Sequence, residues 1–315
     1  MFPEKNPLIS IIIPVYNEKE VIETFYLALK STLQNLPKYE FEILFVDDGS
    51  KDESLVNLLN IQSKDSRIRI IELSRNFGKE QALTAGLKNC KGFAGIPIDV
   101  DLQDPINLII RLIEKWEKEK SDIVIAKRVN RESDSFFKRI SATIFYRVIN
   151  WIGEHPIPNN VGDCRLLSRK VIDSINMLEE KNRFMKGIFS WIGFKVATVE
   201  FIREKRPSGK TKFDSLKLFG LALKAITSFS SAPIRFWTYM GAIVSFSSFC
   251  YATFVVLRTL IFGVDVPGHA SLLVLILFIG GVQLMSIGTI GEYISKIYLE
   301  TKNRPIYIIR NIYEN

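Results

Sequence analysis

Leu8-Ile9-Ser10-Ile11-Ile12-Ile13-Pro14-Val15, followed by Tyr16-Asn17-Glu18, is the first patterned stretch of the chain. Its β-branched run reads as a strand that ends in a polar turn. Phe41 to Val46, Ile68 to Leu73, Phe93 to Ile98 and Ile123 to Ala126 read likewise, with longer helical stretches between them. This βα alternation predicts an α/β fold with a mainly parallel sheet, whose ligands sit beyond the C-terminal strand ends. No Gly-x-Gly-x-x-Gly follows the first strand and no P-loop motif appears, which argues against a dinucleotide-binding or P-loop site.

Acidic residues collect where such a sheet binds its ligands. Asp47 and Asp48 follow the second strand, Asp99 and Asp101 follow the fourth, and Asp163 stands in Gly162-Asp163-Cys164-Arg165. Carboxylates at such positions suit a divalent ion that offsets charge developing on a diphosphate leaving group. Strand-to-helix turns are also rich in aspartate for capping reasons, and Asp104 before Pro105 reads as such a cap, with Ile106 to Lys120 helical. Asp47 and Asp48, taken alone before Gly49-Ser50, read equally as a turn.

The C-terminal part is more apolar than an ordinary domain requires. The 315 residues are 47% hydrophobic, and no charged residue falls between Trp237 and Leu257 or between Ala270 and Gly291. Each run matches the roughly 20 residues that a helix needs to cross a bilayer, so two transmembrane helices are expected; a buried soluble hairpin is the alternative. Lys and Arg residues from Arg203 to Lys224 precede the first run, and Lys296, Lys302, Arg304 and Arg310 follow the second, while Gly263 to His269 has neither. The positive-inside bias then places both termini and the main domain in the cytoplasm of a multi-pass protein of the inner or plasma membrane. Met1 to Ser10 lacks the layout of a secretory signal. Cys90, Cys164 and Cys250 are too few and too widely spaced for a disulfide framework or a zinc site. The net charge of +8 suits anionic lipid or phosphate-bearing partners and equally follows from the positive-inside bias. Phe136 to Gly153 and Phe213 to Phe229 are basic and aromatic, as helices that lie on a membrane or pack on the sheet would be.

Ile13-Pro14-Val15-Tyr16-Asn17-Glu18, Val46-Asp47-Asp48-Gly49-Ser50 and Asp99-Val100-Asp101-Leu102-Gln103-Asp104-Pro105 together resemble family 2 glycosyltransferases of the GT-A fold. Gly162-Asp163-Cys164-Arg165-Leu166-Leu167-Ser168-Arg169 and Arg206-Pro207-Ser208-Gly209-Lys210-Thr211-Lys212-Phe213 resemble the polyprenyl-phosphate subgroup, which includes bactoprenol glucosyltransferases and dolichol-phosphate mannose synthases. The resemblance implies a catalytic domain over residues 1–212, a juxtamembrane amphipathic helix over 213–232, spans over 233–262 and 269–298, and a cytoplasmic tail over 299–315.

By that resemblance, Pro14, Tyr16, Glu18, Asp47 and Asp48 would hold the base and ribose of a nucleotide-sugar donor. Asp99 and Asp101 would bind its diphosphate through Mg2+ or Mn2+, Gln103 would line the sugar, and Arg206, Lys210, Thr211 and Lys212 would close over the phosphates. Asp163 would be the base or an orienting group, since a phosphate monoester with a second pKa of about 6 needs little deprotonation. Arg128, Lys138, Arg139, Ser141 and Arg165 are the candidates for the lipid phosphate. The expected reaction is inverting transfer of a hexose, glucose from UDP-glucose by the nearest subgroup, onto a polyprenyl phosphate. UDP-N-acetylglucosamine, other UDP-sugars and GDP-mannose stay open as donors, and an inactive membrane-tethered scaffold is the non-enzyme rival. Nucleic acid is not an expected partner. Gly281, Leu284, Gly288 and Gly291 share a face of the second span and suit contact between copies or simply face lipid.

Overall fold

The computed structural model describes residues 6–129, 161–181, 183, 185–202, 232–263 and 268–314. The chain divides into two compact units: Met1–Trp151 with His155–Phe219 and Arg304–Asn315, and Ile152–Glu154 with Gly220–Asn303.

The first unit is built on strands β1 (Leu8–Val15), β2 (Glu40–Asp47), β3 (Ile68–Leu73), β4 (Ala94–Pro97), β5 (Ile123–Arg128), β6 (Val161–Ser168), β7 (Val196–Phe201) and β8 (Ile309–Tyr313). They form one sheet in the order β7-β5-β6-β4-β1-β2-β3-β8. β1 lies parallel between β2 and β4, and Ile9, Ile11, Ile12 and Ile13 are fully buried there, as a strand covered on both faces requires. β2–β3 and β5–β7 are also parallel, whereas β6 runs antiparallel between β4 and β5, and β8 antiparallel on β3. The expected mainly parallel α/β sheet is present.

Helices α1 (Ile22–Gln34), α2 (Ser54–Gln62), α3 (Lys79–Asn89), α4 (Leu108–Glu119), α5 (Arg169–Asn176) and α6 (Met185–Trp191) accompany the sheet. α4 buries Leu108, Ile109, Leu112, Ile113 and Trp116, one face at helical spacing. Asp104 does not cap it: a turn in which Leu108 N donates to Pro105 O intervenes, Asn107 is the capping residue, and Asp104 is itself buried. Residues of the expected tail supply β8. Glu72 of β3 accepts from Arg310, Asn311 and Tyr313, and Gln62 donates to the Tyr313 carbonyl, which fastens that strand to the sheet edge.

The second unit contains α7 (Ala232–Phe262) and α8 (His269–Thr301), 31 and 33 residues long. At 1.5 Å per residue they extend about 46 and 50 Å. Phe246, Phe249, Leu260 and Leu284 on them are exposed. Among the described residues no helix is long and apolar enough to cross a membrane. Side chains at 232–235, 245, 248, 252, 255, 256, 259, 269–271, 273, 274 and 277, inside these two helices, lie outside the described residues. The stretches 136–153 and 213–229 lie outside them too.

Candidate active site

The turns after β1 and β2 are stitched together. Asn17, at φ 52°, donates its N–H to Ser50 Oγ at 3.0 Å and accepts from Lys51 N at 2.8 Å, while Glu18 N donates to Ser54 Oγ at 2.9 Å. Pro14, Tyr16 and Glu18 are half-buried at this edge. Gly49 has φ +66°, and a Cβ there would stand 2.7 Å from Arg75 Cα and closer still to Arg75 C, so both the conformation and the close approach require glycine.

Asp47 and Asp48 are both buried, yet they do different work. Asp48 accepts from Phe77 N at 2.7 Å and Gly78 N at 2.9 Å, which fixes the turn leading into α3. Asp47 accepts from Ser50 N through Oδ2 at 3.2 Å, and its Oδ1 has no hydrogen-bond partner. Burial pushes both carboxyls up from the usual range, partly offset by those hydrogen bonds. An unsatisfied buried acceptor costs about 1–3 kcal/mol, so a ligand N–H delivered to Asp47 would be favoured.

The turn held by Asp48 delivers Lys79, the first residue of α3, into the acidic cluster. Its Nζ donates to Asp99 Oδ2 at 2.7 Å and to Asp163 Oδ2 at 2.5 Å, and Lys186 Nζ of α6 stands 3.9 Å from Asp163 Oδ1. The sheet explains the meeting. β6 runs antiparallel to β4 with Gly95 opposite Leu167, so the segment that leaves β4 runs alongside the start of β6. The side chains of Lys79, Asp99 and Asp163 keep 46, 19 and 34% exposure, as groups lining an open cleft do. Burial disfavours every charge here and pushes the Asp99 carboxyl up. For Asp163 the burial penalty is outweighed by Lys79 and Lys186, which hold its carboxyl well below the usual carboxylate range. Burial likewise opposes the Lys79 ammonium, but Asp163 and Asp99 hold it well above the usual lysine value.

Asp101 accepts from Gln103 N at 3.1 Å across a turn in which Leu102 adopts φ 56°. Among the described residues no group of three or more His, Cys, Asp and Glu side chains makes a complete metal centre. Asp99 and Asp101 still offer the hard oxygen donors that fit Mg2+, which is held by one or two carboxylates together with substrate phosphates.

Arg165 is not placed to meet a lipid phosphate. It is buried, stacks on the Phe189 ring at 3.8 Å and donates to Gly162 O at 2.9 Å, so it shapes the strand that carries Asp163. Arg128 is half-buried at the end of β5, opposite Phe201. Lys138, Arg139, Ser141, Arg206, Lys210, Thr211 and Lys212 lie outside the described residues. Two site residues, Lys79 and Lys186, escape a search for acidic motifs. The Gly78-Lys79 pair just beyond β3 carried a signal for the first, at a ligand-binding strand end, but nothing local marks the second.

Carboxylates at or beyond the C-terminal ends of β2 and β4 and at the start of the antiparallel β6, with a lysine between Asp99 and Asp163, suit the handling of an anionic phosphate-bearing ligand. Residues 10–175 match the family described as Glycosyl transferase family 2. The chain belongs to that family and is a glycosyltransferase. It is 50% identical over 305 residues to the bactoprenol glucosyl transferase of Shigella phage SfV, covering 96% of this chain and 98% of that one. It is 51% identical over 304 residues to the bactoprenol glucosyl transferase of Shigella phage SfII (96% and 97%), and 49% identical over 306 residues to a prophage bactoprenol glucosyl transferase homolog of Escherichia coli strain K12 (96% and 99%). Among solved structures, the mannosyltransferase PcManGT from Pyrobaculum calidifontis in complex with GDP-Man and Mn2+ aligns with a TM-score of 0.48 at 16% identity, covering 66% of this chain and 59% of that one.

Proposed function

We propose that the chain transfers glucose from UDP-glucose to a polyprenyl phosphate, with inversion, at the cytoplasmic face of a membrane. The observation that carries this reading is near full-length identity of about one half to relatives named bactoprenol glucosyl transferases. The acidic motifs on which donor chemistry depends stand intact in this chain.

In this reading the unsatisfied Oδ1 of Asp47 receives a ring N–H of the base, and Pro14, Tyr16 and Glu18 border the nucleoside. A divalent ion, Mg2+ or Mn2+, held by Asp99 and Asp101 supplies charge that offsets the departing diphosphate. Lys79 provides a second fixed positive charge at the same place, and it costs no reorganisation because Asp99 and Asp163 already hold it. The acceptor oxygen is largely a dianion's at neutral pH, so the attack requires no strong base. Asp163, kept ionised between two ammonium groups, is a poor proton acceptor and acts as the group that positions them.

The membrane anchor belongs to the same proposal. α7 and α8 contain the uncharged stretches Trp237 to Leu257 and Ala270 to Gly291, flanked by basic residues with none in the connector. Two spans with an external connector follow. Such an anchor confines the enzyme to the surface that holds its lipid acceptor and raises their effective concentration. Gly281, Gly288 and Gly291 have nothing within 4 Å of where a Cβ would stand, which suits close packing of a second copy.

A donor comparison tests the specificity. With polyprenyl phosphate and Mg2+ present, UDP-glucose is expected to give turnover at least about tenfold above UDP-N-acetylglucosamine or GDP-mannose, which takes only about 1.4 kcal/mol of discrimination. Equal turnover with all three donors, or a preference for another, contradicts the glucose assignment.

A further inference from the structure

The geometry points to Lys186 as a contact of the acceptor phosphate, a residue at the start of α6 that no motif of the chain announces. This rests on the proposed transfer to a lipid phosphate and adds to it where that phosphate is received.

Three observations converge. First, two ammonium groups address one carboxylate unequally. Lys79 lies 2.5 Å from Asp163 and 2.7 Å from Asp99, so two carboxylates offset its charge at hydrogen-bond distance. Lys186 approaches Asp163 only to 3.9 Å, beyond hydrogen-bond range, and shares that carboxylate with Lys79. Its charge, facing Asp163 and the Glu80 carboxylate without a hydrogen bond to either, is held less tightly than that of Lys79, on a side chain that keeps 32% exposure.

Second, the position of Lys186 is built. Glu80, next to Lys79 on α3, accepts from Met185 N at 3.1 Å, which ties the first residue of α6 to the first turn of α3. Adjacent residues thus do two jobs: Lys79 bridges Asp99 and Asp163, and Glu80 brings Lys186 to the other oxygen of Asp163. On the same helix Phe189 packs on Arg165, two residues along β6 from Asp163, so α6 is fixed to the strand bearing that carboxylate from a second point.

Third, the chemistry needs a cation there. A dianionic phosphate entering beside Asp99, Asp101, Asp163 and Glu80 meets like charge from every one of them. A divalent ion held by Asp99 and Asp101 would serve the donor diphosphate, and Lys79 is already engaged by Asp99 and Asp163. The remaining ammonium beside Asp163 is Lys186, and a lysine serves as a point-charge phosphate ligand without bidentate geometry. Asp163 keeps it near the cluster while a phosphate oxygen takes up its N–H donors.

Steady-state transfer by the full-length chain tests this, with polyprenyl phosphate in mixed micelles and a water-soluble short-chain isoprenyl phosphate as a second acceptor. Lys186→Met is expected to raise the KM for both acceptors about tenfold or more, to leave the Kd for UDP with Mn2+ and the KM for UDP-glucose within about twofold, and to be largely rescued by Lys186→Arg. Parallel shifts with both acceptors assign the effect to the phosphate and not to the lipid chain. An unchanged acceptor KM, an equal rise in the donor KM, or no recovery in Lys186→Arg overturns the assignment, and unaltered UDP binding serves as the check that the variant is folded. A wild-type chain that glucosylates neither acceptor defeats the proposed function itself, which is a different result from an active wild type whose variant keeps its KM.

Discussion

Neighbouring aspartates after β2 divide the work of a single motif. In the proposed reading, Asp47→Asn keeps one oxygen for Ser50 N and turns an amide NH2 toward the base in place of the acceptor Oδ1, so UDP binding is expected to weaken by about 1–3 kcal/mol, about fivefold or more in Kd, with thermal stability little altered. Asp48→Ala instead releases the Phe77 and Gly78 N–H groups and misplaces Lys79, so turnover is expected to fall and stability to drop by about 1–3 kcal/mol. Calorimetric UDP titration and thermal melting separate the two; the same profile for both variants would contradict the division. The motif was legible in the sequence, but its division was not, because it depends on backbone groups of another element reaching only one of the pair. Arg165 shows the same limit: its charge was visible, and its burial against Phe189 was not.

Asp65 allows a pH test away from the site. Arg67 holds its carboxyl down to about 2, against burial that opposes ionisation, with help from the Tyr26 hydroxyl. A carboxyl lowered on folding contributes stability above its unfolded value of about 3.9 and loses it as pH falls through about 2. Asp65→Asn is therefore expected to cost about 1–2 kcal/mol at pH 7, with the gap to wild type closing in urea melts toward pH 2. A gap independent of pH would mean that the ion pair contributes nothing.

Among the elements, α3 carries the most weight for the site, since it is packed under β1 and β2 while its first two residues reach the cleft. Gly86 permits that packing: a Cβ there would collide with Ile12 Cγ2 and stand 3.3 Å from Val46 Cγ2. Gly86→Ala is expected to destabilise by about 1–3 kcal/mol through overpacking, read by chemical denaturation, and an unchanged midpoint would show that the helix is free to shift. At the other edge, Glu72→Ala removes the acceptor for Arg310, Asn311 and Tyr313 and is expected to speed amide exchange in 309–313. Strands β1 to β5 were legible because buried parallel strands are continuous apolar runs. β7 alternates exposed and buried residues over only six positions, and β8 is marked by polar residues whose partner, Glu72, lies more than two hundred residues earlier. Neither gives a local signal of that kind. α4 was read as starting two residues too early, because a turn after Pro105 precedes its first helical residue.

At the scale of the whole molecule, the chain joins a glycosyltransferase unit to two long helices rich in exposed apolar side chains. The proposed anchor predicts that the full-length chain stays with membranes after alkaline extraction, and that a cysteine introduced in the 263–269 connector reacts with a membrane-impermeant thiol reagent from the outer side only. Release at high pH, or labelling from the cytoplasmic side, would contradict two spans.

The central claim is glucose transfer to lipid phosphate at the cleft of Asp99, Asp101 and Lys79. Incubating the full-length protein with radiolabelled UDP-glucose, polyprenyl phosphate and Mg2+, then counting the organic phase, tests it most directly. The account predicts labelled lipid with the wild type and loss of at least about a hundredfold with a folded Asp101→Asn variant. No label in the lipid with the wild type, or undiminished label with Asp101→Asn, would contradict it.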